Sequence, residues 1–243
     1  VAVTGVQTCA LPIFDPEEIT SVLQQFEGIV VIDEAYSDFV DEKEKFTSFT
    51  NIAKCLEDVF VVNSLSKNMG MSGWRVGYLI AEKETIKQAL KLNQHIITCA
   101  PTVLQMYMSK YFDDIISFTL PQAKQIVKKR RRMTDYLDNI GLKYLEGTST
   151  FYIFINVQKL QVSTLDFALY LLFRYSIAVV PGSAYGKSTS GFIRVGIGTE
   201  SEERVIRAFD IIKLVYEQQL TDLSFVEKKL KERGYYRFPM EGI

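Results

Sequence analysis

A polar loop between two apolar segments constrains the fold of this chain. Residues 59–62 and 76–80 are apolar and rich in β-branched or aromatic side chains, whereas residues 64–75 are polar and contain two glycines. This pattern predicts two buried strands joined by a loop. The loop carries Lys67, and a lysine at the mouth of a buried strand is costly unless it has a partner or a covalent role. Serine hydroxyls and Arg75 nearby suit an oxyanion such as phosphate.

The loop resembles the lysine signature of the fold-type-I, pyridoxal-phosphate-dependent aminotransferases of class I/II. In that family the signature is Ser-x-Ser-Lys, a short glycine-bearing loop, and then Gly-x-Arg-x-Gly. Ser-x-Ser-Lys alone is a weak pattern, but the combination at this offset between two apolar strands is specific. The chain supplies these positions in the same order: Ser64, Ser66, Lys67, Gly73, Arg75 and Gly77.

The resemblance implies a role for each polar residue of the loop. Lys67 is the expected Schiff-base lysine, whose amine, once displaced by substrate, moves a proton between the substrate and the cofactor. Ser64, Ser66 and Arg75 match positions that hold the cofactor phosphate. Arginine suits this task because its planar guanidinium stays charged and can make two parallel hydrogen bonds. The alternatives are a surface lysine, turn serines and a surface arginine, and without the flanking pattern a surface lysine would be the better explanation of Lys67.

A second strand end carries acidic and aromatic side chains. Residues 29–32 are wholly apolar, which predicts a parallel strand covered on both faces, and Asp33 follows them. Ligands gather at such strand ends in open α/β sheets. The family has Asp-x-x-Tyr here, so the resemblance implies that Asp33 pairs with the cofactor ring nitrogen and Tyr36 bonds to the ring hydroxyl. A turn carboxylate and a core aromatic are the alternatives, and we interpret Glu34 as structural.

Arg194 lies within an otherwise apolar predicted strand, residues 192–197, and a charge there needs a reason. In the family a strand of this kind carries the arginine that binds the substrate carboxylate. It follows a Pro-Gly-Ser-x-aromatic-Gly loop, which residues 181–186 match. The resemblance therefore implies that Arg194 binds the carboxylate of an amino acid or a 2-oxo acid. The alternative is an arginine paired with an acid at a sheet edge.

The first part of the chain has the alternating pattern of an α/β domain. A helix is expected to begin at Asp15 and to end near Gly28. We assign residues 14–125 to a partial cofactor-binding domain with a mostly parallel sheet, the C-terminal part of a fold-type-I large domain. Its later helices are predicted at residues 82–97, 101–116 and, starting with Pro121 in the first turn, 120–139.

The second part of the chain differs from the first because its predicted strands are short and alternate with helices. We assign residues 126–220 to a small α+β domain and residues 221–243 to a last helix and tail. The basic run at residues 128–132 is expected to be a solvated helix face and not a nucleic-acid surface, since the whole chain is not basic. Strands are predicted at residues 142–145, 151–157, 177–180 and 192–197, and helices at 164–175, 202–218 and 220–234.

Composition narrows the function classes. The 243 residues carry a formal net charge of −1 and are 47% hydrophobic, which predicts a packed globular protein with neither nucleic acid nor membrane as partner. Three scattered cysteines, Cys9, Cys55 and Cys99, indicate a reducing, cytoplasmic setting with no metal or disulfide framework. A single histidine, His95, gives no support to a Ser/His/Asp triad.

The N-terminus and the extent of the resemblance raise a further expectation. Residues 1–13 suit either a non-native junction or an ordinary buried strand and loop, and both interpretations stay open. The resemblance begins near Phe14 and covers only the later part of a family member. It lacks the segments that supply the ring-stacking aromatic and the Asn-Pro-x-x-Pro-Thr-Gly motif. We therefore expect a fragment of a homodimeric enzyme, with a catalytically incomplete fragment as the alternative to an active one.

Other functions remain open at this stage. Related lyases and synthases share these residues, and histidinol-phosphate aminotransferases use the arginine in the strand for a substrate phosphate. The amino donor and acceptor are not determined by these motifs. A nucleotide hydrolase is a distant alternative, because Gly182 to Ser188 is one residue short of a phosphate loop and a strand follows it where a helix should begin.

Overall fold

The computed structural model describes residues 20, 21, 23, 25–43, 46–51 and 59–236. The chain divides into two compact units. The first unit contains the described residues up to position 128 together with Thr148–Thr150, and the second contains Lys129–Gly147 and the described residues from position 151 onwards. The predicted junction at residues 1–13 and the predicted helix start at Asp15 lie outside the described residues.

The first unit has a three-stranded sheet in the order β1, β2, β3. Strand β1 (Val30–Asp33) pairs in parallel with β2 (Val59–Ser64), as predicted, and β2 pairs in antiparallel with β3 (Gly77–Ile80). The prediction that β1 is covered on both faces is wrong, because β1 is an edge strand of the described sheet and Val31 is 61% exposed. Strand β3 is also largely exposed rather than buried.

Gly77 allows β2 and β3 to pair closely. It lies opposite Ser64, and a Cβ atom added at position 77 would stand 2.6 Å from the carbonyl oxygen of Asn63. Real Cβ atoms essentially never come so close to a backbone oxygen. The second glycine of the Gly-x-Arg-x-Gly motif is therefore a packing requirement of the strand that follows the lysine loop.

The first unit contains the short helix α1 (Leu65–Asn68), α2 (Lys83–Ile96) and the first part of α3 (Thr102–Ile140), whose residues from Lys129 onwards belong to the second unit. We predicted two helices in this range, and α3 does contain two helical stretches joined at a kink, but the non-helical backbone angles occur at Tyr111 and not before Pro121. The proline is exposed, and helical backbone continues on both sides of it. A proline removes one hydrogen bond from a helix without preventing it when packing holds both flanks.

The second unit is an antiparallel sheet covered by helices, which agrees with the α+β prediction. Its strands are β4 (Tyr152–Asn156), β5 (Val180–Pro181) and β6 (Phe192–Gly196), in the order β4-β6-β5. Its helices are α4 (Thr164–Tyr175), α5 (Glu202–Glu217) and α6 (Leu223–Lys231). The strand predicted at residues 142–145 is reduced to one isolated bridge between Tyr144 and Ile155.

The core of the second unit lies on one face of this sheet. Alternate residues of β4 and β6 point into the core, as the two-residue period of a strand requires. The residues between them, Phe154, Phe192 and Arg194, occupy the opposite face. The buried core side chains come from both strands and from α4 and α5, and include Ile153, Ile155, Ile193, Val195, Phe167, Leu171, Phe209 and Ile212.

The basic run at residues 128–132 is only partly a solvated face. Lys129 is buried and its Nζ donates to the carbonyl oxygens of Ile197, at 2.5 Å, and Glu200. Arg130 is 2% exposed and shares its helix face with the buried Met133. The prediction is therefore wrong for Lys129 and Arg130, because the helical period turns these positions inwards while their neighbours stay outside.

Candidate active site

The end of β1 carries two carboxylates in different environments. Asp33 is exposed, and its Oδ1 accepts the Ala35 N–H at 2.9 Å, which closes a local turn. Glu34 is buried and accepts both the Ser48 hydroxyl and the Phe49 N–H, the latter at 2.8 Å. Glu34 therefore has the structural role that we expected, and Asp33 is the carboxylate directed away from the core.

Tyr36 is half-buried in the turn that follows β1. Its ring packs edge-on against the buried Phe39, with the ring centroids 6.1 Å apart. This contact restricts the orientation of the Tyr36 ring.

Lys67 lies in α1, directly after β2. Ser64 is the N-cap of this helix, and its hydroxyl accepts the Ser66 N–H at 3.2 Å. Leu65 and Met69 are buried and anchor the turn, whereas Ser66 and Lys67 are half-buried. The Ser-x-Ser-Lys motif therefore builds a capped helical turn that presents a lysine at the carboxyl end of a strand.

Asn68 connects this turn to the loop after β1. Its Nδ2 donates to the Ser37 hydroxyl at 2.8 Å and to Asn63 Oδ1 at 3.3 Å, and its Oδ1 accepts the Asp38 N–H at 3.4 Å. Asn68 is 7% exposed, so these bonds are made in a water-poor setting. We did not predict this residue, and its position beside Lys67 is the only signal in the chain that points to it.

Arg75 has an unusual backbone conformation. Its φ and ψ angles are 55° and 43°, in the left-handed region that residues other than glycine rarely adopt. The side chain is exposed, and one of its nitrogens donates to the Ser72 carbonyl at 2.8 Å. Backbone strain of this kind is concentrated at functional sites. The hydrogen bond to Ser72 directs the Arg75 side chain towards the loop that follows Lys67.

These segments share one edge of the first sheet. Strands β1 and β2 are parallel neighbours, with Asp33 paired to Val62, so their carboxyl ends lie side by side. The Glu34 N–H extends the pairing to the Val62 carbonyl at 2.8 Å. Asp33 and Tyr36 follow β1 at this edge, and the turn that carries Lys67 follows β2.

Burial and neighbouring charges shift the pKa values of two ionisable side chains in this unit, Asp38 and Tyr78. Burial raises the pKa of Asp38 above its ordinary value, and the positive charge of Lys124 opposes this shift. Burial, together with the negative charges of Glu34 and Asp38, raises the pKa of Tyr78. The phenol of Tyr78 therefore stays protonated near neutral pH.

Arg194 belongs to the second unit, on the face of the sheet opposite to the core. Its guanidinium carbon lies 4.1 Å from the ring centroid of Tyr152 and 4.5 Å from that of Tyr185. We did not predict either tyrosine as a functional residue. A two-residue period from Phe154 places Tyr152 on the face of Arg194, but nothing in the chain indicates which strands pair.

The loop before β6 does not have the architecture of a nucleotide phosphate loop. Its short helical turns, Gly182–Tyr185 and Lys187–Thr189, lead into strand β6 rather than into a helix. Gly182 is required by packing, since a Cβ atom there would lie 2.5 Å from the Phe192 carbonyl oxygen. The loop therefore supports β6 and Arg194, and the nucleotide hydrolase alternative has no structural basis.

The fold and these residues agree with a family of known enzymes. The family model described as "Aminotransferase class I and II" matches residues 11–212 of the chain. The chain therefore belongs to the class I and II aminotransferases, as the lysine signature predicted. Members of this family are pyridoxal-phosphate-dependent enzymes.

Relatives of known name support this assignment. The chain is 30% identical over 210 residues to an aspartate aminotransferase of Pyrococcus abyssi, covering 85% of the chain and 54% of that protein. It is also 30% identical over 183 residues to a probable N-acetyl-LL-diaminopimelate aminotransferase of Bacillus subtilis, covering 74% of the chain and 46% of that protein. The chain thus spans about half the length of these relatives.

Solved structures show the same fold. An aromatic aminotransferase from Pyrococcus horikoshii superposes with a TM-score of 0.76 at 26% identity, over 86% of this chain and 56% of that one. An aspartate aminotransferase from Thermotoga maritima gives a TM-score of 0.73 at 26% identity, over 86% and 54%. The α/β fold of the fold-type-I enzymes is therefore confirmed for this chain.

The donor set at the sheet edge suits pyridoxal phosphate. It offers an amine, a carboxylate, a phenol, hydroxyls and a guanidinium, which are the groups needed for the aldehyde, the ring and the phosphate of this cofactor. Among the described residues no group of three His, Cys, Asp or Glu could hold a metal ion. No helix in the described part of the chain is long and apolar enough to cross a membrane.

Proposed function

We propose that the complete protein is a pyridoxal-phosphate-dependent aminotransferase that moves an amino group from an amino acid to a 2-oxo acid. One observation supports this proposal above the others. The capped turn that carries Lys67 follows a parallel strand, and Asn68 ties the turn to the loop that follows Asp33. An amine and a carboxylate held by neighbouring strand ends are what this cofactor needs.

Lys67 is the residue to which we assign the covalent and proton-transfer work. Its Nζ would be the group that holds the cofactor aldehyde covalently in the resting enzyme. With substrate bound, the free Nζ of Lys67 would act as the general base and acid that takes a proton from the substrate α-carbon or gives one back to it. Pyridoxal phosphate, when bound, supplies an electron sink for the charge that develops at that carbon.

The other residues of the first unit hold and tune the cofactor. The Asp33 carboxylate would pair with the ring nitrogen and keep the ring electron-poor, and the Tyr36 hydroxyl would hold the ring hydroxyl. Ser64, Ser66 and Arg75 would hold the phosphate, for which arginine offers a permanent charge and hydroxyls offer directed donors.

Arg194 of the second unit binds the α-carboxylate of the substrate. Its support is chemical: a half-buried guanidinium in an apolar strand is a strong donor for a planar anion. Relatives named for aspartate, aromatic amino acids and N-acetyl-LL-diaminopimelate suggest amino acids and 2-oxo acids as substrates. We further propose a homodimer in the cytoplasm, the latter because the three cysteines are scattered.

The proposal is tested on the complete protein loaded with pyridoxal phosphate. We expect visible absorbance from lysine-bound cofactor, and its loss when a productive amino acid is added in the absence of an acceptor. Borohydride reduction followed by peptide mapping should locate the cofactor on Lys67. Lys67→Ala should form no such adduct, whereas Lys83→Ala, at the start of α2, should behave as the unmodified protein.

Two results would change the proposal. An adduct that persists at the active site of Lys67→Ala would refute the assignment of the lysine. Normal cofactor attachment with release of a product other than the 2-oxo acid would indicate a related lyase or synthase.

A further inference from the structure

The guanidinium of Arg194 is held by aromatic rings. Its carbon lies 4.1 Å from the ring centroid of Tyr152 and 4.5 Å from that of Tyr185, well inside the range of cation–π attraction. Such stacking uses the faces of the guanidinium, whereas its five N–H bonds point outwards in its own plane. The rings therefore attract the cation without using the donors that recognise a carboxylate.

Each ring is itself fixed by a neighbour. Tyr185 meets Phe154 edge-on, with centroids 5.6 Å apart, and packs against the buried pair of Phe154 and Phe192. The Tyr152 ring lies against Phe151, with centroids 4.4 Å apart. These contacts give the rings defined positions before any ligand is present, so the arginine meets a formed surface.

The register of the sheet brings Tyr152 to Arg194. Tyr152 pairs with Gly196, and Arg194 lies two residues earlier on the same face, which is a diagonal neighbour in an antiparallel pair. Gly196 has no side chain, and a Cβ atom there would lie 3.8 Å from the Tyr152 ring. The ring therefore lies over the glycine and reaches the guanidinium beside it.

We infer that Tyr152 and Tyr185 are positioning residues that set the preference of this enzyme for substrates with an α-carboxylate. A free arginine side chain has about 2 kcal/mol of rotamer entropy, part of which is lost whenever it binds. Rings that already confine the guanidinium reduce that loss and strengthen binding to the anion. The inference rests on the proposed role of Arg194 and adds two residues that act through it.

The test compares an acid with an amine in the complete protein loaded with its cofactor. For the best amino donor and for the amine that lacks its α-carboxylate, kcat/KM is measured in Tyr152→Leu and Tyr185→Leu, which keep apolar bulk but remove the ring. We expect each change to lower kcat/KM for the amino acid about 5- to 30-fold, a range that follows from the strength of cation–π contacts, and to leave the amine unchanged. Tyr152→Phe and Tyr185→Phe should retain most of the preference.

A binding experiment gives a readout that does not depend on turnover. Calorimetric titration with succinate, which cannot donate an amino group, should show weaker binding in the leucine variants, and its uncharged diamide should show no difference. Tyr175→Leu is the matched control, because Tyr175 packs against Tyr170 elsewhere in the second unit. It should leave both the acid-to-amine ratio and succinate binding unchanged.

The outcomes separate this inference from the function on which it rests. If the leucine variants lower kcat/KM equally for the acid and the amine, the tyrosines only support packing and the inference fails. If Arg194→Gln removes the preference but the leucine variants keep it, the inference alone fails. If Arg194→Gln keeps the preference as well, the carboxylate role proposed for Arg194 is wrong.

Discussion

Arg130 is a charged residue buried without full compensation. Its Nε and Nη2 atoms have no hydrogen-bond partner in the described part of the chain. Burial lowers the pKa of Arg130 to about 10, against a small opposing effect of Tyr144. At pH 7 the side chain is therefore protonated in both the folded and the unfolded state. The full cost of burying the charge is present there and is relieved only as the pH rises through about 10.

Replacing this charge by an apolar side chain of similar length should not weaken the fold. We expect Arg130→Met to raise the free energy of unfolding by about 1–3 kcal/mol at pH 7, since buried charges replaced by apolar groups are often neutral or stabilising. Urea unfolding of the complete protein measures the change. Arg207→Met, at an exposed position of α5, should stay within about 0.5 kcal/mol. A clear loss of stability in Arg130→Met alone would mean that Arg130 has a partner that stabilises it.

Single residues also show how far the chain predicts its candidate site. The identities of Asp33, Lys67 and Arg75 follow from motif and spacing, because the chemistry restricts which residue types can stand there. The structural role of Glu34 was also anticipated. The role of Asn68 was not anticipated. Its hydrogen bonds join it to Ser37 and Asp38, which come close to it only once β1 and β2 have paired. Partners distant in the chain leave no local pattern.

At the scale of elements, the turn that carries Lys67 depends on one amide side chain. We expect Asn68→Ala to lower the free energy of unfolding by about 1–3 kcal/mol, because Ser37 and Asp38 lose buried hydrogen-bond partners. Urea unfolding monitored by fluorescence measures it. Asn93→Ala in helix α2 is the control and should have little effect or a small stabilising one. Unchanged stability in Asn68→Ala would show that packing alone holds the turn.

Elements whose ends are marked by residues close in the sequence, such as a helix N-cap, were predicted well. Helix α4 spans Thr164–Tyr175, as predicted, and Ser163 caps it by accepting the Asp166 N–H. Elements whose limits depend on tertiary contacts were predicted less well. Pro121 suggested a helix start inside α3, and the direction of β3 relative to β2 could not be inferred because both are apolar runs.

At the scale of the whole molecule, the first unit presents much apolar surface. Side chains on β1, α2 and α3 that are more than half exposed include Val31, Leu92, Ile96 and Val103. Large exposed apolar side chains are typical of surfaces that contact another part of a protein or another chain, and the matched part of this chain spans only about half the length of these relatives. The mostly parallel sheet and the domain limits that we assigned to residues 14–125 and 126–220 stay predictions.

The exposed edge strand makes a prediction about this chain expressed by itself. We expect the 243-residue chain to self-associate, and Val31→Lys to reduce association, because a charge on an edge strand opposes pairing with another copy. Light scattering across a concentration series measures it. Leu172→Lys, also exposed but in helix α4 of the second unit, should have a smaller effect. The account would be contradicted if the unmodified 243-residue chain were monomeric, or if Val31→Lys and Leu172→Lys reduced association equally.

The left-handed backbone at Arg75 has a consequence for how this loop tolerates change. Glycine would adopt these angles at no steric cost, so glycine at position 75 would lower the conformational energy of the main chain. The side chain and the main chain therefore place opposing demands on position 75. A glycine substitution that relieves the backbone also removes the permanent cation, so selection for heat resistance alone would favour loss of the phosphate binding that we propose for Arg75.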